Sequence, residues 1–161
     1  MLIRKASLQD TETVYEIVQT TIHAVYPHYY PAGAVDFFAQ HHSTEAIRAD
    51  ISAGNVFLCV TDADEAVGTV TVKANEILRL FVLPEHQGTG YGGALLSFAE
   101  RLVAETYEIS VLDVSLAAKA IYKKRGYTET NYIVLQTGNG DFLCYDIMEK
   151  TLQQGGKPND A

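Results

Sequence analysis

The stretch between residues 76 and 114 constrains the fold most strongly. A nearly continuous apolar run at 77–82 leads into a glycine-rich loop, and apolar residues then recur at helical spacing from Leu95 to Val103. A second apolar run follows at 109–114. Strands buried on both faces have this continuous apolar character, and two parallel strands need a crossover connection that is usually a helix. We therefore predict a parallel strand-loop-helix-strand unit and an α/β fold.

The rest of the chain predicts shorter elements around this unit. A strand is expected at 2–5, a first helix through Val14 to Ile22, and a second helix at 43–53. A hairpin is expected from 56–60 and 66–72, and a closing hairpin from 131–135 and 142–147, with Asn-Gly at its tip. Between the first two helices, the aromatic stretch 23–42 carries two prolines and a glycine, which break helices.

Length and composition favour one domain. The chain has 161 residues, of which 47% are hydrophobic, enough for a single core. We expect this domain to span 1–150 and the polar segment 151–161 to be a flexible tail. No apolar signal segment follows Met1, no apolar run has membrane length, and Cys59 and Cys144 show no zinc or disulfide spacing, so a cytoplasmic protein is expected.

The net charge and the spacing of the histidines limit the classes of ligand to be expected. The formal net charge of −8 argues against a nucleic acid partner and slightly favours a cationic small molecule. The five histidines show no metal-ligand spacing, so we predict no metal.

The glycine-rich loop is predicted to bind a phosphate group. Backbone amides at a helix start lack intrahelical partners, and glycines let an anion approach them closely. Gly88, Gly90 and Gly93 also fit the dinucleotide pattern GxGxxG, with Asp113 near the position of a ribose-binding acid, as in a nicotinamide-dependent oxidoreductase. Five residues separate the strand from Gly88, however, whereas the dinucleotide turn follows its strand directly. The dinucleotide interpretation is therefore ranked lower.

Two motifs resemble those of the GNAT superfamily of N-acetyltransferases. Val82-Leu83-Pro84-Glu85 followed by Gln87-x-x-Gly90-x-Gly92 resembles its coenzyme A signature, Arg/Gln-x-x-Gly-x-Gly/Ala. Ala118-x-x-x-Tyr122-x-x-x-Gly126-Tyr127 resembles Asn-x-x-Ala-x-x-x-Tyr-x-x-x-Gly-Phe, with Ser115 in place of the asparagine. The order of elements is also similar from Ile3 to Lys150.

The resemblance implies a mixed sheet of about six to seven strands with splayed central parallel strands, flanked by about four helices. It implies that acetyl-coenzyme A lies along the strand edge and the loop, and that Ser115 can cap the following helix and contact the coenzyme. The implied coenzyme-binding residues are Leu80, Phe81, Val82, Gln87, Gly88, Thr89, Gly90, Tyr91, Gly92, Gly93 and Ser115.

The resemblance further implies acetyl transfer to a primary amine of a small molecule or peptide. Tyr122 is the candidate acid for the departing thiolate, and Glu76, six residues before Val82, is the candidate base. The aromatic stretch would line the acceptor pocket as the variable loop of that family does. Homodimers are common among its members, and a catalytically inactive acyl-coenzyme A sensor is the alternative from the binding class.

Overall fold

A single mixed sheet organises the molecule. The computed structural model describes residues 1–153, and this part of the chain contains seven strands in the spatial order β1-β2-β3-β4-β5-β7-β6. The strands are β1 (Leu2–Lys5), β2 (Val56–Val60), β3 (Ala66–Lys73), β4 (Glu76–Val82), β5 (Ile109–Val114), β6 (Thr128–Gln136) and β7 (Phe142–Thr151). Neighbouring strands are antiparallel except β4 and β5, which are parallel. The predicted crossover unit and mixed sheet are confirmed.

Helices cover both faces of this sheet. The described residues form α1 (Thr11–Val25), α2 (Ala32–His41), α3 (Thr44–Ser52), α4 (Tyr91–Ala104) and α5 (Lys119–Lys124). Side chains alternate between faces along β2, so that Phe57 joins the core beneath α4 while Leu58 joins the core beneath α1 and α3. The helices therefore bury two separate apolar layers against one sheet.

The two parallel strands pair over only part of their length. β4 and β5 are in register at Glu76↔Val111 and Ile77↔Leu112, although β4 continues to Val82 and β5 to Val114. The register between β3 and β4 also shifts at this level, where Arg79 adopts a φ of +46°. The predicted splay of the central strands is confirmed, and it opens a gap at their carboxyl ends.

The aromatic stretch at 23–42 departs from the loop implied by the resemblance. α1 continues to Val25, and α2 begins immediately after Pro31. A proline interrupts a helix interior but is tolerated at a helix start, where its missing N–H has no intrahelical partner. Gly33 belongs to the first turn of α2, and a Cβ there would collide with Asn139 at the tip of the β6–β7 hairpin. Pro31 and Gly33 therefore mark a helix start and a close contact.

The chain end is described only in part. β7 extends to Thr151, the first residue of the predicted tail, and residues 154–161 of that tail lie outside the described residues.

The Tyr30 hydroxyl joins three segments around the gap. It donates a hydrogen bond to the Cys144 carbonyl on β7 at 2.8 Å and accepts one from the Leu116 N–H at 2.9 Å. Only 6% of Tyr30 is exposed. The segment before α2 is thereby fixed to β7 and to the loop after β5.

We expect Tyr30→Phe to lower the free energy of unfolding by about 1–3 kcal/mol, because it leaves a half-buried carbonyl and a half-buried amide without their partner. Urea denaturation followed by circular dichroism measures this value. The control is Tyr29→Phe, since Tyr29 is 50% exposed and the change should stay within about 0.5 kcal/mol. Equal losses in both variants would contradict the role of the Tyr30 hydroxyl.

Candidate active site

The glycine-rich loop has the geometry of an anion site. Gly88 and Gly90 adopt φ values of +73° and +100°, which favour glycine, and no atom lies within 4 Å of a Cβ built at either position. The Ala94 N–H donates to the Gly90 carbonyl at 3.0 Å, which closes the first turn of α4. The preceding amides therefore lie at the positive end of the helix dipole, next to open space.

A cavity of about 510 Å³ leads from this loop to the gap between β4 and β5; we call it the glycine-loop cavity. The Gln87 side chain donates to the Val82 carbonyl at 2.9 Å and so fixes the loop to the end of β4. The predicted coenzyme residues that line it are Leu80, Phe81, Val82, Gln87, Gly88, Gly90, Gly92, Gly93 and Ser115. Thr89 and Tyr91, also predicted, belong to the loop and the helix start without lining the cavity.

A second cavity, of about 530 Å³, lies on the other side of the gap, between α2, α3 and the ends of the central strands; we call it the α2–α3 cavity. The two cavities share six lining residues, which are Tyr26, Leu80, Phe81, Ser115, Ala118 and Tyr122. They therefore adjoin at the splay. A ligand in the glycine-loop cavity and a ligand in the α2–α3 cavity would meet beside these six side chains.

Tyr122 stands at this junction. It is 8% exposed, it lines both cavities, and its ring packs edge-on against Tyr127 at a centroid distance of 5.8 Å. Burial raises the pKa of its hydroxyl, and the neighbouring Tyr26 adds to the shift. Within residues 1–153 this hydroxyl has no hydrogen-bond partner. Tyr122 is thus a protonated donor facing the junction.

Ser115 lies directly after β5 and lines both cavities. The expectation that its hydroxyl caps the next helix is wrong: Ala118 is the N-cap of α5, and it is the Ser115 carbonyl that accepts the Ala118 N–H at 3.0 Å. Because α5 begins only at Lys119, beyond this turn, the Ser115 hydroxyl does not cap it. It remains beside Tyr26, where burial raises the pKa of the Tyr26 hydroxyl and proximity to Ser115 opposes part of that shift.

The two candidate carboxylates occupy different positions. Glu76 is exposed at the start of β4, opposite Val111, and does not line the α2–α3 cavity. Asp113, near the end of β5, is also exposed but does line that cavity. Partial desolvation raises the pKa of Asp113, and the charge of Glu76 raises it further. The alternation of β5 could have indicated this residue, because Asp113 lies two positions before Ser115 and so shares its face.

Residues 1–153 contain no group of three or more His, Cys, Asp or Glu side chains that could hold a metal ion. In the same residues, no helix is sufficiently long and apolar to span a bilayer.

Residues 25–150 match the family model described as the acetyltransferase (GNAT) domain. The chain belongs to the GNAT acetyltransferase family. A comparison with curated proteins gives no match. The single parallel strand pair in the described chain and this family membership replace the dinucleotide interpretation.

Solved GNAT structures support the assignment. The chain is similar to a GCN5-related N-acetyltransferase from Rhodopseudomonas palustris, with a TM-score of 0.83, 25% identity and coverage of 94% of this chain and 95% of that one. It is also similar to the PaiA N-acetyltransferase from Thermoplasma acidophilum in complex with coenzyme A, with a TM-score of 0.68, 25% identity and coverage of 93% and 98%. The fold is shared with YncA of Salmonella typhimurium, solved with acetyl-CoA, at a TM-score of 0.70, 20% identity and coverage of 100% and 99%. The protein is therefore an acyltransferase of this family.

We expect Gly92→Asp to weaken coenzyme A binding by about tenfold or more, because a carboxylate in the first turn of α4 repels the pyrophosphate. Gly92 suits this test better than Gly90, since its φ is not positive and a Cβ would meet only Val82 at 3.7 Å. The same charge stabilises the helix start, so the melting temperature should not fall. Isothermal titration calorimetry measures the affinity.

Gly92→Asn is the matched control, because it has nearly the same shape without the charge. It should retain more affinity than the aspartate variant. Unchanged coenzyme A affinity in folded Gly92→Asp would place the pyrophosphate elsewhere.

Proposed function

We propose that this protein is an N-acetyltransferase that moves the acetyl group of acetyl-coenzyme A directly to a primary amine of a small molecule or peptide. The observation that carries the proposal is the meeting of two cavities at the splay, with Tyr122 at their junction. One cavity ends at a glycine-rich helix start, which suits a pyrophosphate. The other contains carboxylate and aromatic side chains, which suit an amine.

The glycine-loop cavity fits the coenzyme. The amides of Gln87–Gly93 would bind the pyrophosphate, and the edge of β4 at Leu80, Phe81 and Val82, which β5 leaves unpaired, would bind the amide-containing arm. Ser115 would contact the arm near its thiol end. When bound, acetyl-coenzyme A supplies an electrophilic thioester carbon and a thiolate leaving group.

The acceptor amine must lose a proton before it can react. A lysine-like amine with a pKa of about 10.4 is neutral in roughly one molecule in 2,500 at pH 7, which corresponds to about 4.6 kcal/mol. Glu76 remains our candidate base. Asp113 can receive the proton first, because it lines the α2–α3 cavity and because the negative charge of Glu76 raises its pKa. The two carboxylates would then pass the proton outward to solvent.

The amine nitrogen attacks the thioester carbon as the carbon–sulfur bond breaks. Tyr122 donates its hydroxyl proton to the departing sulfur, which yields the free thiol. The attacking nitrogen loses its second proton to a carboxylate or to water as the amide forms, and Tyr122 regains a proton from solvent, so that one proton moves in total from nitrogen to sulfur. Its raised pKa keeps the hydroxyl protonated at neutral pH. The products are the N-acetyl amine and coenzyme A.

The setting of this activity is also part of the proposal. We infer that residues 1–150 act as one catalytic domain in the cytoplasm and that a homodimer is the candidate assembly. The free thiols of Cys59 and Cys144 support a reducing compartment.

We expect Tyr122→Phe to lower kcat by roughly 10²–10³-fold with an almost unchanged melting temperature, because it removes the proton donor and keeps the ring. Steady-state kinetics read by thiol release tests this. Tyr127→Phe is the control: its hydroxyl bonds Ser110 at 2.8 Å and the residue lines neither cavity, so it should lose stability with kcat preserved. A stability loss with normal turnover in Tyr122→Phe would refute the acid role.

The base is tested by the pH dependence of kcat in Glu76→Gln and Asp113→Asn. If Glu76 accepts the proton, Glu76→Gln should lower kcat by about 10²-fold, most strongly at low pH, where the free amine is scarce. If Asp113 accepts the amine proton instead, Asp113→Asn should be the variant that lowers kcat by about 10²-fold. Glu76→Gln then shifts the acidic limb of the profile to lower pH, because removing the negative charge of Glu76 lowers the pKa of Asp113. Unchanged profiles in both variants would assign the proton to water alone.

A further inference from the structure

The α2–α3 cavity contains a charge cluster that the acetyl transfer steps do not use. Asp50, on α3, is bonded through one carboxylate oxygen to Arg79 Nη1 and through the other to Lys73 Nζ. All three residues line the cavity. Two cations therefore share one carboxylate, and the cluster has a net charge of +1 on one wall of a cavity that also contains Asp113.

Arg79 directs part of its guanidinium towards that cavity. Its side chain is 8% exposed, its Nε donates to His42 Nδ1 at 3.0 Å, and its Nη1 also approaches the Thr71 hydroxyl at 3.4 Å. Its Nη2 has no hydrogen-bond partner among residues 1–153. A nearly buried guanidinium that lines a cavity with one unused nitrogen offers donors to a ligand.

His42 supplies a second donor beside Arg79. Burial lowers the pKa of His42 to about 3, with the charge of Arg79 and the neighbouring His41 adding to the effect and Asp50 opposing it. The imidazole is therefore neutral. Because Nδ1 accepts from Arg79, the single ring proton lies on Nε2, and His42 can act there only as a donor. It has no free lone pair with which to serve as a base.

We propose that Arg79 and His42 bind a carboxylate of the acceptor, so that the acceptor is an amino-acid-like zwitterion with its amine on the Asp113 side of the cavity. This inference rests on the proposed function and defines its substrate class. A planar carboxylate suits the arginine donors, and it neutralises the excess positive charge of the cluster. A polyamine would instead place a second cation beside that charge. The local arrangement therefore outweighs the net charge of −8, which is a property of the whole chain.

The decisive experiment uses the unmodified protein and three matched acceptors: an α-amino acid, its methyl ester and its decarboxylated amine. With acetyl-coenzyme A and a thiol-release readout, kcat/KM for the acid should exceed that for each of the other two by about tenfold or more. The ester has the more acidic ammonium group and therefore more free amine at neutral pH. A preference for the acid cannot then arise from protonation alone. The panel is completed by α-amino acids with several different side chains and by a diamine.

His42→Phe provides the matched variant, because it keeps an aromatic ring against Phe81 and removes both ring nitrogens. His42→Phe should raise KM for the amino acid about tenfold and KM for the ester by a clearly smaller factor, so that the preference for the acid over the ester in kcat/KM falls. A purely structural histidine would affect both acceptors equally. Binding is measured separately from turnover: with coenzyme A present, the N-acetyl amino acid should raise the melting midpoint more than its methyl ester does.

Equal or better turnover of the decarboxylated amine, the ester or the diamine would overturn the zwitterion inference and leave the acetyltransferase proposal standing. Failure to acetylate any amine, in protein that binds coenzyme A, would overturn both.

Discussion

The incomplete pairing of β4 and β5 is the constraint on which the site depends. Only two residue pairs join these strands, yet neither is loosely held, because β3 pairs with the other side of β4 and β7 pairs with β5 over all six of its residues. The sheet can therefore open at its centre without losing its integrity. Backbone groups along the facing edges are left for a ligand, and a ligand with amide groups can replace the missing strand pairing.

Local sequence signals predicted the parts of this arrangement that depend on local chemistry. The tight turn before α4 could be predicted because its conformation needs glycine: Gly88 and Gly90 have the positive φ angles that only glycine adopts readily. Tyr122 could be located because its motif fixes its place on α5. The splay of β4 and β5 was predicted from the family resemblance, because residue spacing alone does not indicate it.

Other features depend on tertiary contacts and were beyond the sequence. Pro31 and Gly33 suggested a loop, but Pro31 precedes the first turn of α2 and Gly33 gives room for Asn139, which is 106 positions away in the chain. From the sequence, Asp113 suggests only a ribose-binding acid, because the cavity that it lines is formed by α2, α3 and the two central strands together. In the sequence, Arg79 is a single charged residue within an apolar strand. Its contacts with Asp50 and His42 depend on the irregular register between β3 and β4.

Three buried tyrosines differ in what their hydroxyls contact. Burial raises the pKa of Tyr30, Tyr122 and Tyr127 alike, so the direction of the shift does not separate them. Their partners do. Tyr30 bonds Cys144 and Leu116, and Tyr127 bonds Ser110, so both hydroxyls are committed to the fold. The Tyr122 hydroxyl has no partner within residues 1–153, so it is free to donate to a ligand. Tyr122 lines both cavities at their junction, where, in the acetyl transfer that we propose, the sulfur of the thioester would accept that bond.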